Sequence, residues 1–138
     1  MTRIGTEERG SERTVSVNLL HANLTESIIG AAMEVLNILR PGLDEKLYEN
    51  ALVIELQKRG HSVEQQKAYC VYYKDVYVGG LVPDLIVDEA VLVDTKVVEK
   101  FADVHLAQML GYLNITNLSV ALLINFKTHK LDWKRVVR

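Results

Sequence analysis

One cysteine, two prolines and a net charge of −2 set the first limits on this chain. The lone Cys70 excludes an internal disulfide framework and a cysteine-rich zinc module, and it suits a reducing compartment. His21, His61, His105 and His129 show no zinc-ligand spacing with one another. Lys plus Arg number 16 against 18 Asp plus Glu, which excludes a uniformly basic nucleic-acid binder but not a local basic patch. No apolar run reaches the ~18 residues that a membrane helix needs. The opening stretch, MTRIGTEERGSERT, lacks the apolar core of a secretory signal. These absences lead to the expectation of a soluble, cytoplasmic protein with no membrane partner.

What is present suits one core. Hydrophobic residues make up 49% of the 138 and charged residues 25%, the balance of an ordinary one-domain globule. Residues 1–20 are polar, with Arg3, Arg9 and Arg13 set against Glu7, Glu8 and Glu12. They read as a flexible arm before a single domain over 21–138. Leu24, Ile28, Ala31, Ala32, Val35, Leu36 and Leu39 recur at helical spacing until Pro41-Gly42 stops the run. A second helix carries Leu47, Ala51, Ile54 and Leu56 and closes at Gly60. Strand patterns follow: Val63 to Tyr73 after an irregular start, Val76 to Val87 bent at Gly79-Gly80, and Val91 to Val98. The double glycine suits a bulge, and neither a Rossmann fingerprint nor a P-loop is present. A helix over about 103–115, with Val104, Ala107, Leu110 and Leu113 on one side, comes next. A buried strand from Leu118 to Asn125 and an edge strand from Leu131 to Val137 end the chain. Central strands with helices before and after define an α/β or α+β sandwich with a mixed sheet.

The chemistry concentrates between Val82 and Lys96. Side chains alternate along a strand, so Leu92, Asp94, Lys96 and Val98 share one face while Val91, Val93, Thr95 and Val97 share the other. Two charged groups thus leave an otherwise apolar strand on the same side, which is costly unless they are paired, exposed or bound to an ion. If Asp88-Glu89-Ala90 forms a three-residue loop, Val87 pairs with Val91 and the continued register sets Asp84 opposite Asp94. Two carboxylates so close repel unless a cation holds them, and both are hard oxygen ligands of the kind Mg²⁺ or Mn²⁺ prefers. Lys96 would point over the same site. A two-residue loop would instead set Thr95 opposite Asp84, and the bland alternative for Asp-x-Lys is a solvated surface ion pair.

Pro83-Asp84 followed by Asp94-Thr95-Lys96 resembles the PD-(D/E)XK nuclease signature. The longer run from Gly42 to Leu52, with Glu45 and Tyr48 at its centre, resembles the GxxExxY family, small proteins placed in that superfamily. The likeness continues through Val63-Glu64-Gln65-Gln66, His105-Leu106-Ala107-Gln108 and Leu122-Leu123-Ile124-Asn125-Phe126. It implies an α/β fold with a restriction-endonuclease-like core, a central mixed sheet flanked by helices. It also implies site roles for Glu45, Asp84, Asp94 and Lys96, with Gln108 on the substrate. Asp84 and Asp94 would be metal ligands, joined by Glu45 through water and by the Thr95 carbonyl. Glu45 otherwise reads as a helix-start carboxylate favoured by the dipole. Gln108 and His105 otherwise read as hydrogen-bonding caps of the sheet edge.

The leading functional expectation is a Mg²⁺- or Mn²⁺-dependent phosphodiesterase acting on DNA or RNA. A catalytically inactive module of the same fold, binding nucleic acid or protein, is the alternative, and a metal-dependent enzyme on a smaller phosphorylated substrate is a third. A homodimer is an admitted assembly. Tyr69, Tyr72, Tyr73 and Tyr77 read either as base-stacking groups or as ordinary strand packing. Lys127, Lys130, Lys134, Arg135 and Arg138 give the C-terminal stretch a local positive excess that suits phosphates or a solvated edge strand.

Overall fold

The computed structural model describes Arg3–Ile4 and residues 21–138. The flexible arm expected over 1–20 lies outside the described residues, apart from the two-residue strand β1 (Arg3–Ile4). Helix α1 (Ala22–Leu39) and helix α2 (Glu45–Lys58) precede β2 (Val63–Gln65), β3 (Tyr69–Tyr73), β4 (Val76–Leu81), β5 (Leu85–Val87) and β6 (Val91–Lys96). Helix α3 (Asp103–Thr116) then leads to β7 (Val120–Asn125) and β8 (Asp132–Val137). The central sheet has the order β1-β8-β7-β6-β5-β2, with β6 and β7 parallel and the other neighbours antiparallel. It is a mixed sheet flanked by helices, as the sequence pattern implies. No helix among the described residues is long and apolar enough to cross a membrane.

Alternation along the apolar strands sends side chains to two cores. Leu85, Val87, Val91, Val93, Leu122 and Ile124 pack under Ile28, Ala31, Val35 and Leu36 of α1 and Tyr48, Leu52 and Leu56 of α2. Leu92, Ala121, Leu123 and Val136 face the other way, onto Met109 and Leu113 of α3. Each such aliphatic side chain contributes roughly 1.5–3 kcal/mol when removed from water.

Four details differ from the sequence reading. Helix α2 turns Tyr48, Leu52 and Leu56 inward, each four residues from the last, while Leu47 and Ile54 stay about half exposed. Helix α3 buries Met109 and Leu113, whereas Val104 and Ala107 are exposed. The stretch from Val76 to Val87 is two strands, because Pro83 lacks the N–H that a continuous ladder requires. Strands β3 and β4 accordingly form a two-stranded sheet of their own outside the central one, with a bulge at Val78 beside Gly79. Finally, β6 stops at Lys96 rather than Val98, since the Asn125 side chain takes over both backbone groups of Val98, at 3.1 Å and 2.7 Å.

The β5–β6 turn has the three-residue form: Val87 pairs with Val91, Ile86 with Leu92 and Leu85 with Val93. Asp88 and Glu89 both take positive φ, which non-glycine residues adopt at a cost. Asp88 offsets it by accepting hydrogen bonds from the Ser62 N–H at 2.8 Å and from His61 at 2.7 Å. The far nitrogen of His61 meets the Ser27 hydroxyl at 2.8 Å, so the turn is tied back to α1.

Candidate active site

Strand β6 carries its polar residues at its C-terminal end. Asp94 is buried, and the Lys96 ammonium lies 3.0 Å from Asp94 Oδ2 as an ion pair. Burial first, and then the charge of Asp84 beside it, push the Asp94 carboxyl up to about 7. Burial presses Lys96 toward its neutral form, but Asp94, Glu45 and Asp84 together outweigh that, so its pKa lies above the ordinary value and it remains an ammonium.

Asp84 sits one residue before β5, in the bend that Pro83 enforces. Its Oδ2 accepts from the Thr95 N–H at 2.9 Å and from the Thr95 hydroxyl at 3.1 Å. The strand alternation assigns Thr95 to the face away from Asp94, so a fixed pleat would never join Thr95 to Asp84. Asp84 has left the ladder, however, and its carboxylate swings over the strand end.

Glu45 opens α2 at the same end of the sheet. Burial raises its pKa, Lys96 lowers it, Asp84 raises it, and the N–H of Val97 lowers it again; the net direction is upward. Glu45 is therefore in electrostatic reach of Lys96 and Asp84. Its neighbour Glu49 is buried and accepts from Lys46 at 3.1 Å, Gln65 at 2.8 Å and Gln66 at 3.0 Å. The Gln66 amide also reaches Asp84 Oδ1 at 3.4 Å, linking the two carboxylates.

Tyr48 sets the position of this helix end. Its hydroxyl donates to the Arg40 carbonyl at 2.6 Å and accepts from the Leu43 N–H at 3.1 Å, pinning the loop in which Gly42 takes a φ of 111°. Its ring stacks on Phe126 at 4.8 Å, and the Phe126 N–H donates to the Lys96 carbonyl at 2.9 Å. One chain of contacts thus runs from the loop before Glu45 to the backbone of Lys96.

The expected group Glu45, Asp84, Asp94 and Lys96 is gathered here, and Gln108 is not part of it. Gln108 is exposed on α3 and donates to the Tyr112 hydroxyl at 3.2 Å. His105 accepts from the Ala102 N–H at 3.0 Å and so closes the start of α3. The sequence pattern assigns no side-chain role to Thr95, Gln66, Asn125 or Glu49. The spacing of Glu45 and Glu49, one helical turn, was the available signal for the last.

Among the described residues no group of three or more His, Cys, Asp or Glu is drawn together closely enough to hold a metal ion by itself. The donors fit a divalent ion that keeps much of its water. Two hard carboxylates adjoin, one of them buried and with its pKa raised by burial and by the other, in a cluster where carboxylates outnumber ammonium groups.

A family model described as the PD-(D/E)XK nuclease superfamily matches residues 22–136. The chain belongs to that superfamily, whose nucleases generally use divalent metals. Comparison with curated proteins and with solved structures returns no significant match.

Proposed function

We propose that this domain hydrolyses phosphodiester bonds in DNA or RNA, using Mg²⁺ or Mn²⁺ held by Asp84 and Asp94. The observation that carries the reading is the buried Asp94 beside Lys96 and Asp84 at the end of β6, in a chain of a nuclease superfamily. The Thr95 carbonyl would add a donor, with Glu45 joining through water. Once bound, such an ion supplies Lewis-acid polarisation of the phosphate and lowers the pKa of a coordinated water. Thr95 fixes the Asp84 carboxylate with two hydrogen bonds. Lys96, kept protonated by its acidic neighbours, stabilises negative charge as it develops on the phosphate oxygens. Glu45 orients water near Lys96, and Gln108 serves the substrate from the exposed surface of α3. The Gly42–Glu45–Tyr48 spacing supports the finer placement in the GxxExxY family: each residue has a physical task, at the positive-φ turn, at the site and on the loop respectively.

The test is cleavage of labelled single- and double-stranded DNA and RNA with Mg²⁺ or Mn²⁺, beside Lys96→Ala. We expect turnover with at least one metal, falling by at least about a thousandfold in the variant, equivalent to ~4 kcal/mol of barrier. Absence of turnover on every substrate with both metals overturns the reading in favour of an inactive binding module.

A further inference from the structure

The β3–β4 hairpin is the feature that the acidic cluster leaves unused, and it grows out of that cluster. Its two roots are Gln66 and Asp84: the Gln66 N–H donates to the Asp84 carbonyl at 2.9 Å, and the Gln66 amide touches both Glu49 and Asp84. Beyond this root the chain leaves the central sheet and returns only at Asp84. Strand β3 packs against α3. Tyr69, Val71, Gly79 and Leu81 are the half-buried members of the hairpin.

The other face is open and aromatic. Tyr72 and Tyr77 are directly paired across the strands, with ring centroids 5.9 Å apart at 67°, and each is about 60% exposed. The next pair along is Cys70 and Gly80, both exposed, so nothing large stands beside the rings. A Cβ on Gly80 would come within 3.2 Å of the Tyr69 carbonyl, a tight contact, and 3.8 Å of the Tyr77 hydroxyl, so glycine suits this floor. At the tip, Lys74 lies 5.5 Å from the centre of the Tyr73 ring. At the root, Lys67 lies 5.6 Å from the centre of the Tyr69 ring.

The geometry points to this hairpin as an arm that holds single-stranded nucleic acid, stacking unpaired bases on Tyr72 and Tyr77 and directing the strand to the Asp84–Asp94 site. The inference rests on the phosphodiesterase reading above and narrows its substrate to strands with unpaired bases. Three features on the arm favour that occupant. The tyrosines offer ring faces, which every base can stack on irrespective of sequence. Lys74 places an ammonium group at the tip, where a backbone leaving the rings would meet it, while Lys67 at the root is ion-paired with Glu64 at 3.0 Å. The arm is also continuous with the site: Tyr77 stands seven residues from Asp84, at most about 24 Å of extended strand. Duplex DNA hides its base faces and gains nothing from the rings.

The test is fluorescence anisotropy in EDTA with a labelled 20-nucleotide oligo(dT), oligo(rU) and a 20-bp DNA duplex. The Tyr72→Ala/Tyr77→Ala variant should bind both single strands at least about tenfold more weakly. Tyr72→Phe/Tyr77→Phe should restore binding to within about threefold, since the ring face is kept. Duplex affinity should change less than threefold in either variant, and thermal melting, with both side chains exposed, should shift little. Equal losses on duplex and single strand overturn the arm, as does unchanged single-strand binding in the alanine variant. A sedimentation shift from dimer to monomer in that variant, with oligonucleotide binding intact, would assign the face to a second copy of the chain instead. If the wild type cleaves nucleic acid while the alanine variant binds normally, the arm fails and the phosphodiesterase reading stands. If the wild type binds none of the three in EDTA, the arm fails, and the phosphodiesterase reading is decided by the cleavage assay with Mg²⁺ or Mn²⁺.

Discussion

Two consecutive hairpins, β3–β4 and β5–β6, are built from similar residues and end in opposite environments. The first reads YCVYY and VYVGGL, the second LIV and VLVDTK, all rich in β-branched or aromatic side chains. Every residue of β5, and every residue of β6 up to Thr95, is buried, whereas β3 and β4 contain no buried residue. The difference comes from neighbours. Strand β6 has β7 parallel on one side and β5 on the other, with helices over both faces. The β3–β4 pair forms a sheet of its own and packs on one side of α3. Apolar content favours a strand in both cases; topology decides whether that strand becomes core or surface. The lesson extends to the chemistry, since burial at the end of the inner hairpin raises the proton affinity of Asp94.

The contrast is most easily broken in the buried hairpin. Leu92→Ala should cost about 2–5 kcal/mol in urea unfolding, because it opens a cavity against Met109 and Leu113. A cost below about 1 kcal/mol would mean that the α3 layer collapses onto the sheet and is not a tightly packed core.

Asp94→Asn probes the end of the same hairpin without changing shape. The Asp94 carboxyl titrates at about 7 in the fold and near 4 when unfolded, so between those values the folded chain holds the extra proton. Its contribution to stability is complete below about pH 4 and is lost as the pH rises through 7. In EDTA, the asparagine variant should melt higher at pH 7, by about 2 kcal/mol, and lose the pH dependence between 4 and 7 that wild type shows. Equal slopes in the two proteins would remove Asp84 and burial as the cause. Glu45→Gln sharpens the boundary of the site, since Glu45 reaches it from a helix and not from the hairpin. It should lower metal-dependent turnover by about tenfold, or ~1.4 kcal/mol of barrier, with melting nearly unchanged. Full turnover would return Glu45 to the role of a helix-start carboxylate. The smallest effect belongs to the outer hairpin: Val76→Thr, exposed near its tip, should change stability by no more than about 0.5 kcal/mol in the same urea titration.

Much of this arrangement is legible in the sequence, and the omissions have a common cause. Helix α1 follows from its apolar period, and the β5–β6 register follows from a three-residue loop that the alternation of Asp94 and Lys96 makes informative. What the pattern conceals is where a residue leaves its ladder. Pro83 breaks a strand that looks continuous from Val76 to Val87, and this one break both expels the β3–β4 hairpin and frees Asp84 to reach Thr95. The inward face of α2 departs from its apolar pattern for a related reason. Leu47 and Ile54 are as apolar as Leu52, but the tie from Tyr48 to Arg40 and Phe126 fixes the rotation of the helix. Gln66 and Asn125 are polar groups that gain meaning only from distant partners, and no local periodicity marks them.

The root of the outer hairpin has a consequence for inheritance. Residues 67–83 leave the central sheet after the backbone hydrogen bond between Gln66 and Asp84, beyond the end of the β2–β5 ladder. Such an insertion can lengthen, shorten or be exchanged without cutting any strand of the central sheet. In a lineage built this way, the grip on a substrate and the chemistry applied to it can change on separate schedules, one by insertion and the other by substitution.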